Sequence, residues 1–121
     1  MVVAMPPTVL IVDDHAGFRR AARALLEAEG YEVIAESATG GDALATADRV
    51  QPTVVLLDIG LPDIDGIHVA ALLTAADRRL AVVLTSSRDA ADYQPLLDRC
   101  GARGFIAKAE LSGAAIAALA A

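Results

Sequence analysis

Short runs of consecutive apolar residues alternate along the chain with segments in which apolar residues recur at helical spacing. The five runs are too short for helices and rich in β-branched residues, which predicts strands buried on both faces. They span residues 8–12, 31–35, 53–57, 80–84 and 104–107. The intervening segments predict helices over 16–29, 40–50, 67–76, 88–100 and 111–121. Pro95 predicts that the 88–100 helix is short, kinked or begins late.

Regular alternation of strands and helices is typical of a parallel sheet covered by helices on both faces. We therefore predict an α/β domain of five strand–helix units, a doubly wound (βα)5 fold with right-handed crossovers. In such sheets the functional crevice lies at the carboxyl ends of the strands. The residues that end the predicted strands are therefore the first candidates for chemistry.

Composition narrows the class of protein further. A chain of 121 residues with one cysteine suits one domain without a disulfide. The net charge of −6 argues against direct nucleic-acid binding in this segment, because phosphate binding needs a basic surface. No run approaches the roughly 18–20 apolar residues of a membrane helix, and no basic residue precedes Arg19 to form a signal peptide. We expect a cytoplasmic domain with no membrane partner.

Acidic side chains end two of the predicted strands. Asp13 and Asp14 follow the first run, and Asp58 follows the third. Like charges about 4 Å apart repel by around 4 kcal/mol at an effective dielectric of 20, so either one carboxylate takes a proton or a cation lies among them. Oxygen ligands suit Mg²⁺, with Mn²⁺ as a second option. The alternative is that each aspartate only caps the following helix.

A hydroxyl and an ammonium end the other two strands. Thr85 follows the fourth run, and Lys108, the single lysine beside nine arginines, follows the fifth. Their ordinary roles would be strand packing with helix capping, and surface neutralisation of nearby acids. Together with the acids they describe phosphoryl chemistry on a carboxylate, with Asp58 of the central strand as the best nucleophile.

Four stretches carry a family resemblance. They are Val-Leu-Ile-Val before Asp13-Asp14, Val-Val-Leu-Leu-Asp58-Ile-Gly-Leu-Pro-Asp-Ile-Asp-Gly, Val-Val-Leu-Thr85-Ser-Ser, and Gly-Phe105-Ile-Ala-Lys108. In this order the set resembles the receiver domain of two-component response regulators. The ending Lys-Ala-Glu-Leu is similar to receivers that precede a helix-turn-helix output domain. The resemblance implies a flavodoxin-like sheet of order 2-1-3-4-5, with residues 8–121 as the receiver and 1–7 as an N-terminal extension.

The resemblance also implies roles for the acidic residues. Asp58 would be the phosphoacceptor, supplied by a sensor histidine kinase or a phosphotransfer protein. Asp14 would bind Mg²⁺ directly, Asp13 mostly through water, and the carbonyl of Gly60 would be a further ligand alongside Asp58. Catalysis would be limited to phosphotransfer and autodephosphorylation, so no enzyme acting on a separate substrate is expected.

Three further residues would hold the phosphoryl group and transmit its presence. Thr85 and Lys108 would bind phosphoryl oxygens. Phe105, where many relatives have tyrosine, would rotate inward and change the surface made by the fourth helix, the fifth strand and the last helix. Ala109 stands where receivers often have a proline after a cis bond, so here the bond is either trans or strained.

The sequence alone leaves two competing functions open. A phosphohydrolase of small molecules would need a substrate pocket or cap, for which the short loops leave no room. A degenerate receiver acting as a phosphorylation-independent binding module would not need the five strand-end residues. Homodimerisation, and the choice between a stand-alone domain and one followed by a DNA-binding output domain, are also open.

Several reactive side chains are expected to have ordinary structural roles. His15 is expected to open the first helix, and His68 to lie on the surface. Cys100 is expected to fill the core. Arg19, Arg20 and Arg23 form a basic helix face that is either solvated or approached by a kinase.

Overall fold

Five parallel strands form the sheet at the centre of the protein. The computed structural model describes residues 6–87, Pro95 and residues 99–120. Within them the spatial order of strands is β2-β1-β3-β4-β5, so β3 is central and β2 and β5 are the edges. The strands are β1 Thr8–Val12, β2 Glu32–Ser37, β3 Val54–Asp58, β4 Ala81–Ser86 and β5 Gly104–Ala107. All four neighbouring pairs are parallel.

Helices cover both faces of this sheet. In the described residues they are α1 Ala16–Ala28, α2 Gly40–Val50, α3 Gly66–Ala76 and α4 Gly113–Ala120. Side chains of β1 alternate between two cores, which explains why its apolar run is unbroken. The first core includes Leu10, Val12, Val55, Leu57, Leu84 and side chains of α2 and α3. The second core includes Val9, Ile11, Leu56, Val83, Ile106 and side chains of α1 and α4. The predicted fold class and strand order are confirmed.

Some predicted boundaries differ from the structure. β4 continues through Ser86, because Thr85 and Ser86 still pair with β5. The last helix begins at Gly113 rather than at residue 111, since a 3-10 turn, Lys108–Glu110, follows β5 and Ser112 Oγ accepts from the Ala115 N–H at 3.0 Å. The predicted helix over 88–100 falls largely on residues outside the described ones. No helix in the described part of the chain has the length and apolar character needed to cross a membrane.

The loop after β3 is fixed at both ends. The carboxylate of Asp63 accepts the N–H groups of Gly40 and Gly41 at 2.8 and 2.9 Å, which ties the loop to the start of α2 and lowers the pKa of Asp63. Asp65 Oδ1 accepts the N–H of Ile67 at 2.7 Å and so caps α3. These caps hold the loop beside the carboxyl end of β3, where Asp58 lies.

Candidate functional site

The acidic side chains converge at the carboxyl ends of β1 and β3. These strands are neighbours in the sheet, and Val12 pairs with Leu57, so the residues that follow are side by side. Ligand atoms of Asp13, Asp14, His15 and Asp58 all lie within 4.8 Å of one another. Asp13 and Asp58 are 0% and 4% exposed, whereas Asp14 is open to solvent. The three aspartates are thus close enough to share one cation.

Lys108 reaches the same acidic group from the edge strand. Its Nζ lies 2.6 Å from Asp13 Oδ2 and 3.6 Å from Asp58 Oδ1, and its side chain is 16% exposed. The ammonium also lies over the ring of Phe18, 4.6 Å from the ring centre. Lys108 opens the 3-10 turn, and the following peptide bond to Ala109 is trans. Of the two alternatives for this bond, the structure has the unstrained one.

Burial and a like charge make Asp58 reluctant to ionise. Loss of solvent raises the pKa of Asp58, and the nearby Asp13 carboxylate raises that pKa further. The Lys108 ammonium and a hydrogen bond from the Gly60 backbone N–H oppose these effects without cancelling them. The net result is a carboxylate with surplus negative charge around it, which a bound cation would relieve.

The donor set fits a hard divalent ion. The three carboxylates supply oxygen atoms, the ligand type that Mg²⁺ prefers, and the ring of His15 is the one nitrogen donor in the group. Gly60 lines the pocket beside Asp58. Lys108 brings one positive charge to a group of three carboxylates. The residues present therefore fit Mg²⁺, or Mn²⁺, at this position.

Thr85 lies directly beside Asp58 on the neighbouring strand. The two residues are paired in the β3–β4 register, and Thr85 O accepts the N–H of Ile59 at 3.0 Å. The Thr85 hydroxyl is buried and has no hydrogen-bond partner among the described residues. An unpartnered buried hydroxyl is uncommon in folded proteins, because burial without a partner costs free energy.

A pocket opens in front of Asp58. It has a volume of about 460 Å³, and the candidate residues Asp58, Gly60 and Lys108 line it. Ser86 and Ser87 also line it, a position that the sequence pattern did not predict. The feature of the sequence that could have identified them is their position directly after Thr85, at the end of β4. The pocket is large enough for a group of phosphoryl size to reach the Asp58 carboxylate.

The side chain of His15 also lies in this site, which the sequence pattern did not predict. It precedes α1 as expected, and its backbone N–H donates to Asp13 Oδ1 at 2.8 Å. Its ring Nδ1, however, lies 2.9 Å from Asp13 Oδ1 and 3.1 Å from Asp14 Oδ1. The side chain therefore belongs to the acidic group. In the sequence, only its position directly after two aspartates indicates a contact with them.

The remaining candidates lie away from the acidic group. Phe105 is half-buried against the first core and pairs with Leu84 in the β4–β5 register. Cys100 is buried and His68 is exposed, both as expected.

The basic face of α1 is partly neutralised by β2. Arg19 Nε and Arg23 Nε lie 3.1 and 2.7 Å from the carboxylate oxygens of Glu36. The hydrogen bond from Arg23 is the largest cause of the lowered pKa of Glu36. Arg20 is exposed. Two of the three arginines thus have a structural partner.

Comparison with known proteins gives the same family from sequence and from structure. The family model described as "Response regulator receiver domain" matches residues 9–120. The chain is 37% identical to the nitrate/nitrite response regulator protein NarP of Escherichia coli, covering 87% of this chain and 49% of NarP. It is 40% identical to the transcriptional regulatory protein KdpE of Mycobacterium tuberculosis, covering 83% of this chain and 43% of KdpE. The chain therefore spans about half the length of these curated relatives.

A solved structure shares the whole architecture. A two-component response regulator of the LuxR family from Aurantimonas superposes with a TM-score of 0.85 at 28% identity, covering 95% of this chain and 86% of that one. The structural likeness therefore extends over nearly the whole of this chain. With the family model covering nearly all of the sequence, the chain belongs to the response regulator receiver domains of two-component systems.

Proposed function

We propose that this receiver accepts a phosphoryl group on Asp58 from a sensor histidine kinase or a phosphotransfer protein, in a reaction that depends on Mg²⁺ or Mn²⁺. The observation that carries the proposal is the position of Asp58, which ends the central strand, faces an open pocket and lies within 4.8 Å of two further aspartates. A buried acid with this surplus of negative charge and free access on one side is suited to nucleophilic attack on phosphorus.

The metal ion would be held by Asp13, Asp14, Asp58 and the carbonyl of Gly60. When bound, the ion supplies positive charge that offsets the aspartates and the phosphoryl oxygens. The near-complete burial of Asp13 fixes its carboxylate, whereas the exposed Asp14 has room to adjust. This division suits Asp14 as the direct ligand and Asp13 as a ligand acting mostly through water.

The chemical step takes place at one carboxylate oxygen of Asp58. That oxygen forms a bond to phosphorus while the bond between phosphorus and the donor nitrogen breaks, and the electron pair leaves with the imidazole. Lys108 and the hydroxyl of Thr85 would then bind the phosphoryl oxygens. Reversal to the resting state is hydrolysis, in which water attacks phosphorus and restores the Asp58 carboxylate. Catalysis by this chain would be limited to these two reactions.

The output would be a changed protein-binding surface. The unpartnered hydroxyl of Thr85 gains an acceptor when a phosphoryl group is present, and its movement would free space near β5. Phe105, half-buried on β5, would then turn inward and alter the surface made by the predicted helix over 88–100, β5 and α4. A similar protein, the Borrelia burgdorferi CheY with 26% identity and a TM-score of 0.84, is described in a complex with CheX, BeF3 and Mg²⁺.

The proposal also covers features of the wider protein. We expect a cytoplasmic receiver at residues 8–121 with an N-terminal extension at 1–7, and no direct contact with nucleic acid or membrane. Because these curated relatives are about twice as long and KdpE is named as a transcriptional regulatory protein, a DNA-binding output domain in the same protein is part of this proposal. Homodimerisation is left open.

Intact mass spectrometry tests the central claim. The protein is incubated with Mg²⁺ and acetyl phosphate, and we expect an increase equal to one phosphoryl group. Asp58→Asn should abolish the adduct, whereas the matched control Asp48→Asn, an exposed aspartate on α2, should keep it. An unmodified wild-type mass, including after incubation with its histidine kinase, would favour the phosphorylation-independent binding module. An adduct that persists in Asp58→Asn would move the acceptor elsewhere.

A further inference from the structure

Lys108 has an aromatic neighbour as well as two acidic ones. Its Nζ lies 4.6 Å from the centre of the Phe18 ring. Carboxylate oxygens of Asp13 and Asp58 lie 2.6 and 3.6 Å from the same nitrogen. We propose that Phe18 is a positioning residue, which holds the Lys108 ammonium in the acidic site through a cation–π contact. The inference rests on the proposed function, because the positioned ammonium is the one assigned to the phosphoryl oxygens.

Lys108 needs such a support. A lysine side chain is a flexible stem with a mobile charge, and ordering it costs conformational entropy. The backbone of this chain gives limited help, since Lys108 lies at the start of a three-residue 3-10 turn after the edge strand β5. A ring that faces the ammonium favours one position of the charge over the many that the stem can reach.

Phe18 is well placed to give this support. It lies in the first turn of α1, three residues after His15, and its ring is half-buried against the second core. The same β1–α1 connection carries Asp13 and Asp14. One connection therefore supplies both the acids and the ring that the Lys108 ammonium contacts.

Ordinary packing is the competing explanation, and it makes different predictions. If Phe18 only fills space, an aliphatic residue or a fluorinated ring of similar shape would serve equally well. If the ring face attracts the ammonium, the rate of adduct formation must fall as the electron density of the ring is reduced. Phe18→Leu and Phe18→Tyr, together with fluorinated phenylalanines introduced at residue 18, separate the two explanations. Tyr31→Leu is the matched control, because Tyr31 packs against the same core and contacts the region of Gly113.

The single lysine makes the contact directly observable. Protein labelled with ¹³C,¹⁵N-lysine gives one lysine side-chain spin system, that of Lys108. The ring current of Phe18 should shift the resonances of the Cε and Nζ groups. We expect Phe18→Leu to remove this shift, and Phe18→Tyr and Tyr31→Leu to keep it. The initial rate of adduct formation with acetyl phosphate should fall about 2- to 10-fold in Phe18→Leu, and in steps as fluorine atoms are added.

The outcomes separate this inference from the proposed function. A wild-type protein that forms the adduct, with Phe18→Leu and the fluorinated variants equal to it in rate, overturns the positioning role and leaves the proposed function standing. Unchanged Lys108 resonances in Phe18→Leu overturn the contact itself. A wild-type protein that forms no adduct overturns the proposed function. If Phe18→Leu does not fold, the fluorinated series decides alone, since it preserves the shape of the ring.

Discussion

The ammonium of Lys108 is paired more closely with Asp13 than with Asp58. The Nζ–Oδ2 distance to Asp13 is 2.6 Å, whereas the Nζ–Oδ1 distance to Asp58 is 3.6 Å. The positive charge therefore compensates the buried acid of β1 first. Asp58 lies farther from this charge, and burial, followed by the neighbouring Asp13 carboxylate, raises its pKa.

Magnesium is expected to stabilise the folded protein. Three converging carboxylates exist as a site only in the folded state, so Mg²⁺ at about 100 times its dissociation constant should add about 2.7 kcal/mol to the free energy of unfolding. Asp14→Ala should reduce this gain, because it removes the proposed direct ligand. Differential scanning fluorimetry with and without MgCl₂, at matched ionic strength, measures both. An equal Mg²⁺-dependent rise in Asp14→Ala would reject Asp14 as a ligand, and Asp48→Ala serves as the control.

The stability of the metal-free protein should depend on pH through Asp58. Its folded pKa lies above the ordinary value of 3.8, so on acidification the folded state takes up this proton before the unfolded state does. The contribution of Asp58 to stability therefore rises as pH falls through the raised pKa, and levels off below 3.8. Asp58→Asn removes the buried charge, and the variant should be more stable than wild type at neutral pH.

The difference in the free energy of unfolding between wild type and Asp58→Asn isolates the contribution of Asp58 ionisation. Glu36 and Asp63 have lowered pKa values and lose their stabilising contribution in acid, which would mask Asp58 in wild type alone. Urea denaturation of both proteins across the pH range cancels those contributions. The advantage of Asp58→Asn should shrink as pH falls. A constant difference would mean that Asp58 ionises normally.

Thr85→Val should separate stability from phosphorylation. Valine keeps the shape of threonine and removes a buried hydroxyl that has no partner, so the resting protein should be unchanged or up to about 1 kcal/mol more stable. Adduct formation should slow about 10-fold or more, because a donor to the phosphoryl oxygens is lost.

Thr74→Val is the matched control for Thr85→Val. The Thr74 hydroxyl donates to Ala70 O at 2.9 Å and lies 3.1 Å from Cys100 O, away from the pocket in front of Asp58. Its loss should cost about 1 kcal/mol and leave the phosphorylation rate unchanged. A Thr85→Val protein that loses stability and keeps its rate would contradict the role assigned to Thr85.

Gly66→Ala should strongly destabilise the protein. A Cβ at this position would lie 2.7 Å from Ile59 Cα and would also collide with Asp58 O, both backbone atoms that cannot yield. We expect a loss of more than about 3 kcal/mol in chemical denaturation. Gly17→Ala in α1 is the matched control, because nothing lies within 4 Å of its Cβ, and it should gain about 0.5–1 kcal/mol. Near wild-type stability of Gly66→Ala would refute the close packing of α3 on β3.

The strands and the acids at their ends could be predicted because both depend on local pattern. An apolar run fixes a buried strand, and parallel strands bring Asp13 and Asp58 to one edge. The end of β4 was misplaced because pairing with β5 carries the polar Thr85 and Ser86 inside the strand. Strand pairing is a tertiary property, and apolar periodicity does not report it.

The side-chain contacts of the site could not be predicted. Whether His15 would turn toward the acids or toward solvent depends on a rotamer in the first turn of α1. The contact of Lys108 with Phe18 joins residues 90 positions apart, and it needs both the strand register and the packing of α1. Only the assembled fold determines such contacts.

The acids and the lysine are attached to strands that differ in their stability against local unfolding. Asp13 and Asp58 are attached to interior strands, whereas Lys108 is attached to a four-residue strand at the edge. Amide hydrogen exchange near the acids should therefore require unfolding of the whole domain, while that of β5 can proceed by local fraying. We therefore expect the buried acids to stay in place throughout the native ensemble, and Lys108 to be the group of the site that local opening of β5 displaces.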